Sequence, residues 1–137
     1  MTDYLVDNSV WARLATADAT ITARLRAIER APADLFVTCP PQVLEFCHSA
    51  RTSDEHASYR ERIGLGFPLE RAPDESLVLD IQGALWREGL VRAAGAMDIL
   101  IAGYAIVNGA TVLSADHDFD GIAAVTDLKH EYVAPER

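Results

Sequence analysis

At 137 residues, 50% of them hydrophobic and 24% charged, the chain can bury one real core but is too short for two ordinary domains, so a single domain over residues 1–137 is expected. A net charge of −9 excludes bulk electrostatic capture of nucleic acid, which needs Lys and Arg to neutralise phosphates. The start at Met1-Thr2-Asp3 lacks a signal-peptide pattern, and the apolar stretch from Ile99 to Val107 is short of the roughly 20 residues of a spanning helix, so a cytoplasmic protein without membrane contact is expected.

In chain order, Tyr4 to Asp7 reads as a strand, with Asn8 or Ser9 capping a short helix through Leu14. Ile21, Leu25 and Ile28 share one face of a helix from Thr20 to Ala31. Leu35 to Thr38 is the next strand, and Pro41 suits the first turn of a helix running to Ala50. A further helix spans Ser53 to Ile63 and ends in the loop Gly64 to Pro68. Asp74 and Glu75 open a helix striped by Leu77, Ile81 and Leu85 until Gly89. Met97 to Val107 is apolar nearly all round, as a helix buried against a sheet must be, and Asn108-Gly109 ends it. Thr111 to Ser114 and Leu128 to Val133 are the last strands. The alternation predicts one α/β domain with a parallel sheet.

Four acids border or interrupt apolar sequence: Asp7, Glu45, Asp98 and Asp116. A carboxylate in such a setting is costly to desolvate unless it is paired, hydrogen-bonded or bound to a metal. Ligands of open α/β sheets bind outside the carboxyl ends of the strands, where Asp7 and Asp116 fall, and Asp98 stands at a helix start. Carboxylates gathered in one cleft repel unless a cation joins them. Oxygen ligands suit hard ions, and Mg²⁺ or Mn²⁺ fits an open cluster better than a closed Ca²⁺ cage. Such an ion lowers the pKa of a bound water and steadies the leaving oxygen of a phosphodiester, which is nuclease chemistry.

Residues 1–71 carry 8 basic and 10 acidic side chains, and residues 72–137 carry 4 and 11, so the acidic excess is in the second half. Arg24, Arg26, Arg51, Arg60 and Arg62 are the candidates for gripping RNA phosphates through the forked guanidinium. Cys39 and Cys47 form no disulfide framework or finger spacing and read as small buried hydrophobes. His48, His56 and His130 read as surface or partly buried residues, while His117 stands beside Asp116. Trp11 and Trp86 read as core or interface anchors.

Leu5-Val6-Asp7-Asn8-Ser9-Val10-Trp11, then Glu45 in a helix after Pro40-Pro41, then Asp98-Ile99-Leu100-Ile101-Ala102, then Ser114-Ala115-Asp116-His117-Asp118-Phe119 together resemble the PIN domain, and within it the VapC ribonuclease toxins of toxin–antitoxin operons. The likeness covers essentially the whole chain. It implies a three-layer α/β/α fold around a central, mostly parallel twisted sheet, and makes Asp7, Glu45, Asp98 and Asp116 the acidic quartet that binds metal and carries catalysis. Ser9 would be the hydroxyl beside the first acid and Asp118 an auxiliary acid, with Ser114 where the family usually has Thr. Also implied are Mg²⁺-dependent cleavage of structured RNA (transfer or ribosomal), a cognate VapB antitoxin filling the groove, and a homodimer.

Two other classes remain. A phosphorelay receiver also gathers acids at strand ends, but it needs an acidic pair after the first strand and a lysine, for which only Lys129 is available. A non-enzymatic PIN-like module that only binds RNA or a partner would be signalled by a missing acid, and none of the four is missing. A dehalogenase-type phosphatase would need a second Asp where Ser9 stands.

Overall fold

Along β1 (Asp3–Val6) consecutive side chains are buried on opposite faces of a sheet: Tyr4 and Val6 join one apolar cluster and Leu5 the other. Burial on both faces is the signature of a central strand in a parallel sheet covered by helices on each side. The computed structural model describes residues 1–136 and bears this out. Five strands pair in parallel in the order β3-β2-β1-β4-β5, where β2 is Leu35–Thr38, β3 Phe67–Pro68, β4 Thr111–Ser114 and β5 Lys129–Tyr132.

One layer is α1 (Asn8–Ala15) and α2 (Ala19–Arg30), which bury Val10, Ile21, Leu25 and Ile28 against Tyr4, Val6 and Leu113. The opposite layer is α5 (Glu75–Arg87), α6 (Ala96–Asn108) and α7 (Asp120–Val125), which bury Ile81, Leu85, Ile101, Ala105 and Ile122 against Leu5, Val37 and Val112. Between β2 and β3 run α3 (Pro40–His48) and α4 (Ser53–Ile63). No helix among the described residues is long and apolar enough to cross a membrane.

Several boundaries differ from those expected, each for a local reason. The first strand stops at Val6 and Asp7 itself caps α1, in place of Asn8 or Ser9: Asp7 is extended and its carboxylate accepts the Ser9 N–H at 3.1 Å. Asp18 caps α2 through the Ile21 N–H at 3.0 Å, so that helix starts at Ala19. Both Pro40 and Pro41 fit the first turn of α3, whose end at His48 precedes Ser49, a residue that turns its hydroxyl onto the Phe46 carbonyl at 2.6 Å. Gly109, in the left-handed region at φ 66°, ends α6 as the Asn108-Gly109 pair suggested. The edge strand β3 lies inside the expected loop, and α7 was not foreseen.

Candidate metal centre

The parallel register sets the strand ends level. Val6 of β1 pairs with Leu113 of β4, and the Asp7 N–H extends this ladder to the Leu113 carbonyl at 2.9 Å. Asp7, only 5% exposed, therefore leaves the sheet at its carboxyl edge, between the chain entering α1 and the chain leaving β4. Ser9 ties the two together: its hydroxyl accepts the Ala115 N–H at 2.9 Å while its own backbone N–H donates to the Asp7 carboxylate at 3.1 Å.

Glu45 comes from the middle of α3, which is anchored to the same edge by a buried side chain. Gln42 donates to the Val6 carbonyl at 2.6 Å and accepts the Cys39 N–H at 3.3 Å. One amide thus holds both the end of β1 and the start of α3, so Asp7 and Glu45 share a support. Asp98 lies in the first turn of α6, where its carboxylate accepts the Gly95 N–H at 3.2 Å, the one half of a capping box that a glycine N-cap allows.

These three acids converge. One carboxylate oxygen from each of Asp7, Glu45 and Asp98 lies within 4.8 Å of the others. Asp116 is not in that group; it sits at the rim after β4, its carboxylate accepting the Asp118 N–H at 3.0 Å. It is still close enough for its charge to raise the pKa of Asp7, Glu45 and Asp118. Asp118 is exposed, and Ser114 is fully buried with its hydroxyl donating to the Asp116 carbonyl at 3.1 Å.

The electrostatics are those of a site short of positive charge. Burial, with the charges of Asp118, Asp7 and Glu45 behind it, pushes the Asp98 carboxyl up to about 7. Burial also raises Asp7, against the hydrogen bonds from Ser9, and raises Glu45, to which Asp7, Asp118 and Asp116 add. Among the described residues no Lys, Arg or His nitrogen forms an ion pair with any of these acids; the three pairs present are Arg24–Glu131, His117–Asp120 and His130–Asp120. Three converging carboxylates with no counter-cation, all oxygen donors, fit a hard divalent ion. The neighbouring Cys39 is no soft ligand, since burial pushes its thiol up to about 11, and both cysteines are buried and free as expected.

The arginines divide. Arg24 is committed elsewhere, forked onto Glu131 at 2.6 and 2.9 Å and bonded to the Tyr4 hydroxyl at 2.9 Å, so, contrary to the expectation from sequence, it is not free to grip phosphate. Arg51 and Arg62 line a cleft of about 550 Å³ between α1, α3 and α4, with Trp11, Phe46 and Tyr59. Arg26 and Arg60 are exposed on α2 and α4. Trp11 packs edge-on to Phe46 at 6.1 Å as an anchor, whereas Trp86 is half exposed. Lys129 opens β5 opposite Thr111, at the other end of the strands from the acids, so it cannot serve them as a receiver's lysine would.

Two supporting residues escaped the sequence reading. Gln42 left a trace, a glutamine three residues after a helix cap. His130 left none: it is largely buried, with Nε2 2.7 Å from the Ser114 hydroxyl and Nδ1 3.7 Å from Asp120.

A family model for the PIN domain matches residues 4–125. The chain is 35% identical over 107 residues to ribonuclease VapC6 of Mycobacterium tuberculosis, covering 76% of this chain and 84% of that protein. It is 30% identical over 131 residues to ribonuclease VapC11 of the same organism, covering 91% and 95%. Among solved structures, VapBC2 from Rickettsia felis, bound to a DNA fragment from their promoter, superposes with a TM-score of 0.74 at 14% identity over 96% of this chain and 98% of that one. VapBC-1 from nontypeable Haemophilus influenzae gives 0.72 at 19% identity, with the same coverage.

Proposed function

The chain belongs to the PIN domain family, among the VapC ribonucleases, and from that premise we propose that it is a Mg²⁺-dependent endoribonuclease, the toxin of a toxin–antitoxin pair acting on structured transfer or ribosomal RNA in the cytoplasm. The observation that carries this reading is the convergence of Asp7, Glu45 and Asp98 within 4.8 Å with no basic partner among the described residues. In it, Asp7, Glu45 and Asp98 hold the cation, with Asp116 and Asp118 at the rim. When bound, Mg²⁺ (or Mn²⁺) activates water and neutralises charge building on the leaving oxygen of the phosphodiester.

The chain's own groups supply the rest. Gln42 and Ser9 fix the backbone from which Asp7 and Glu45 project, so little reorganisation is needed when substrate arrives. Asp116, free of any basic partner among the described residues, is available to accept a proton from the attacking water, with Ser114 holding its backbone. Arg51 and Arg62 line the cleft whose wall includes Asn8 and Phe46, the chain neighbours of Asp7 and Glu45, and would take the RNA backbone there.

The same cleft suits a VapB-type antitoxin. Its aromatic wall of Trp11, Phe46 and Tyr59 would receive apolar residues, and an Arg or Lys from the antitoxin would enter the acid cluster as the missing counter-cation. A homodimer completes the reading. The test is incubation of the purified protein with total RNA in Mg²⁺ and in excess chelator, with new 5′ ends mapped. Discrete cuts that vanish with chelator and in Asp98→Asn support it; cutting indifferent to both sinks it.

A further inference from the structure

Tyr132 ends β5 opposite Ser114, which puts it at the same edge of the sheet as the acids. On its ring lies the imidazole of His117, stacked at 4.5 Å with 26° between the planes. A second restraint fixes that imidazole edge-on: Nδ1 lies 2.8 Å from Asp120, whose other oxygen faces the largely buried His130. Although Tyr132 covers one of its faces, the His117 side chain is 70% exposed, so the exposure belongs to the opposite face and the Nε2 edge. Tyr132 itself is 40% exposed.

A ring held flat on another ring, with its outer face bare, has already given up its rotamer freedom and can stack a third ring at little further entropic cost. Its place selects the ligand. His117 stands between Asp116 and Asp118 in the chain, and its charge acts on the Asp118 carboxyl. Other exposed rings lack this setting: among the described residues Trp86 and Phe67 stack on no ring, and neither neighbours an acid of the cluster.

We propose that the outer face of His117, backed by Tyr132, is a stacking subsite for an unpaired nucleobase beside the scissile phosphate. The proposal rests on the ribonuclease reading above and adds how substrate is held. At a net charge of −9 the phosphate contacts of Arg51 and Arg62 leave much of the affinity to other contacts, and a base brings a π face whatever its sequence. A base anchored there would leave its own phosphate close to Asp116. The subsite favours loops and ends, whose bases can splay out, over paired helices.

The experiment uses a single-stranded RNA carrying one 2-aminopurine, bound to full-length protein bearing Asp98→Asn to prevent cleavage. Binding should quench the fluorophore, His117→Ala should weaken binding about tenfold and abolish the quench, and His117→Phe, which keeps a stacking face without the imidazole nitrogens, should restore both. Tyr132→Leu, leaving His117 unsupported, should give an intermediate loss. Equal binding and quenching in His117→Ala overturns the subsite, as does a His117→Phe variant as weak as His117→Ala. Cleavage of total RNA by the wild type reports separately: cleavage that persists unchanged in His117→Ala overturns the subsite alone, and no cleavage by the wild type overturns the ribonuclease reading and the subsite with it.

Discussion

The Ser114 hydroxyl lies 2.7 Å from Nε2 of His130 and donates its own proton to the Asp116 carbonyl at 3.1 Å. With that proton spent on the carbonyl, the imidazole must carry its hydrogen on Nε2 to satisfy the contact, which leaves Nδ1 facing Asp120. The bend that aims Asp116 is therefore braced from β5, by a residue 14 positions later in the chain.

His130→Phe should lower cleavage and cost roughly 1–3 kcal/mol of stability, because it leaves a buried hydroxyl facing an apolar ring. His130→Gln can present an amide N–H to Ser114 and should recover most of both. Thermal melting alongside initial cleavage rates checks this; a Gln variant no better than Phe would show that the hydrogen bond to Ser114 is not what His130 contributes.

Asp7→Asn and Asp98→Asn should each abolish cleavage while leaving the metal-free protein as stable as the wild type or more so. Removing one charge relieves the repulsion that raises its neighbours. Mg²⁺ or Mn²⁺ should raise the melting temperature of the wild type and do little for either variant. A wild type that gains no more than the variants would remove these two residues from the metal site.

Stability of the metal-free protein should depend on pH through Asp98. Its carboxyl titrates near 7 in the fold against 3.8 in the open chain, so the native state holds the proton more tightly. That contribution is present at low pH and is lost as pH rises from about 4 through 7. Asp7 and Glu45, both raised, act in the same sense, while His130, lowered by burial, acts in the opposite sense below 6.5. The difference between wild type and Asp98→Asn isolates Asp98: wild type should lose stability relative to the variant as pH climbs, and a saturating divalent ion should cancel that loss. Parallel melting curves from pH 5 to 8 would refute it.

Arg51→Ala and Arg62→Ala should each flatten the salt dependence of RNA binding, by roughly 0.7 in the log–log slope for each phosphate no longer neutralised. Arg24→Ala should leave the slope unchanged and destabilise the protein instead, since it strands Glu131 and the Tyr4 hydroxyl. Filter binding at several salt concentrations separates the two outcomes, and a flattened slope in Arg24→Ala would contradict the division drawn between these arginines.

What the sequence disclosed was whatever local pattern determines. The bounds of β2, β4 and α4 follow directly from short apolar runs and from Pro and Gly punctuation. β3 could not be read because it is two exposed residues that pair along the edge of β2. α7 is six residues long, too short for a helical period to stand out after His117-Asp118-Phe119. The acids were individually visible, but their spacing was not: that Asp7, Glu45 and Asp98 meet while Asp116 stands apart depends on Gln42 reaching Val6 and Ser9 reaching Ala115, pairs 36 and 106 residues apart in sequence.

Because β4 lies between β1 and β5, the central strand keeps an open edge until Thr111–Ser114 has been made. On a ribosome, Asp7 and Glu45 emerge early, but the strand whose Leu113 carbonyl takes the Asp7 N–H, and whose Ala115 N–H engages Ser9, emerges among the last residues of the domain. A chain translated only as far as α6 therefore lacks the brace for its first acid as well as Asp116 itself. Under the proposed function, the order of synthesis alone would keep the nuclease silent until β4 and Asp116 have been made.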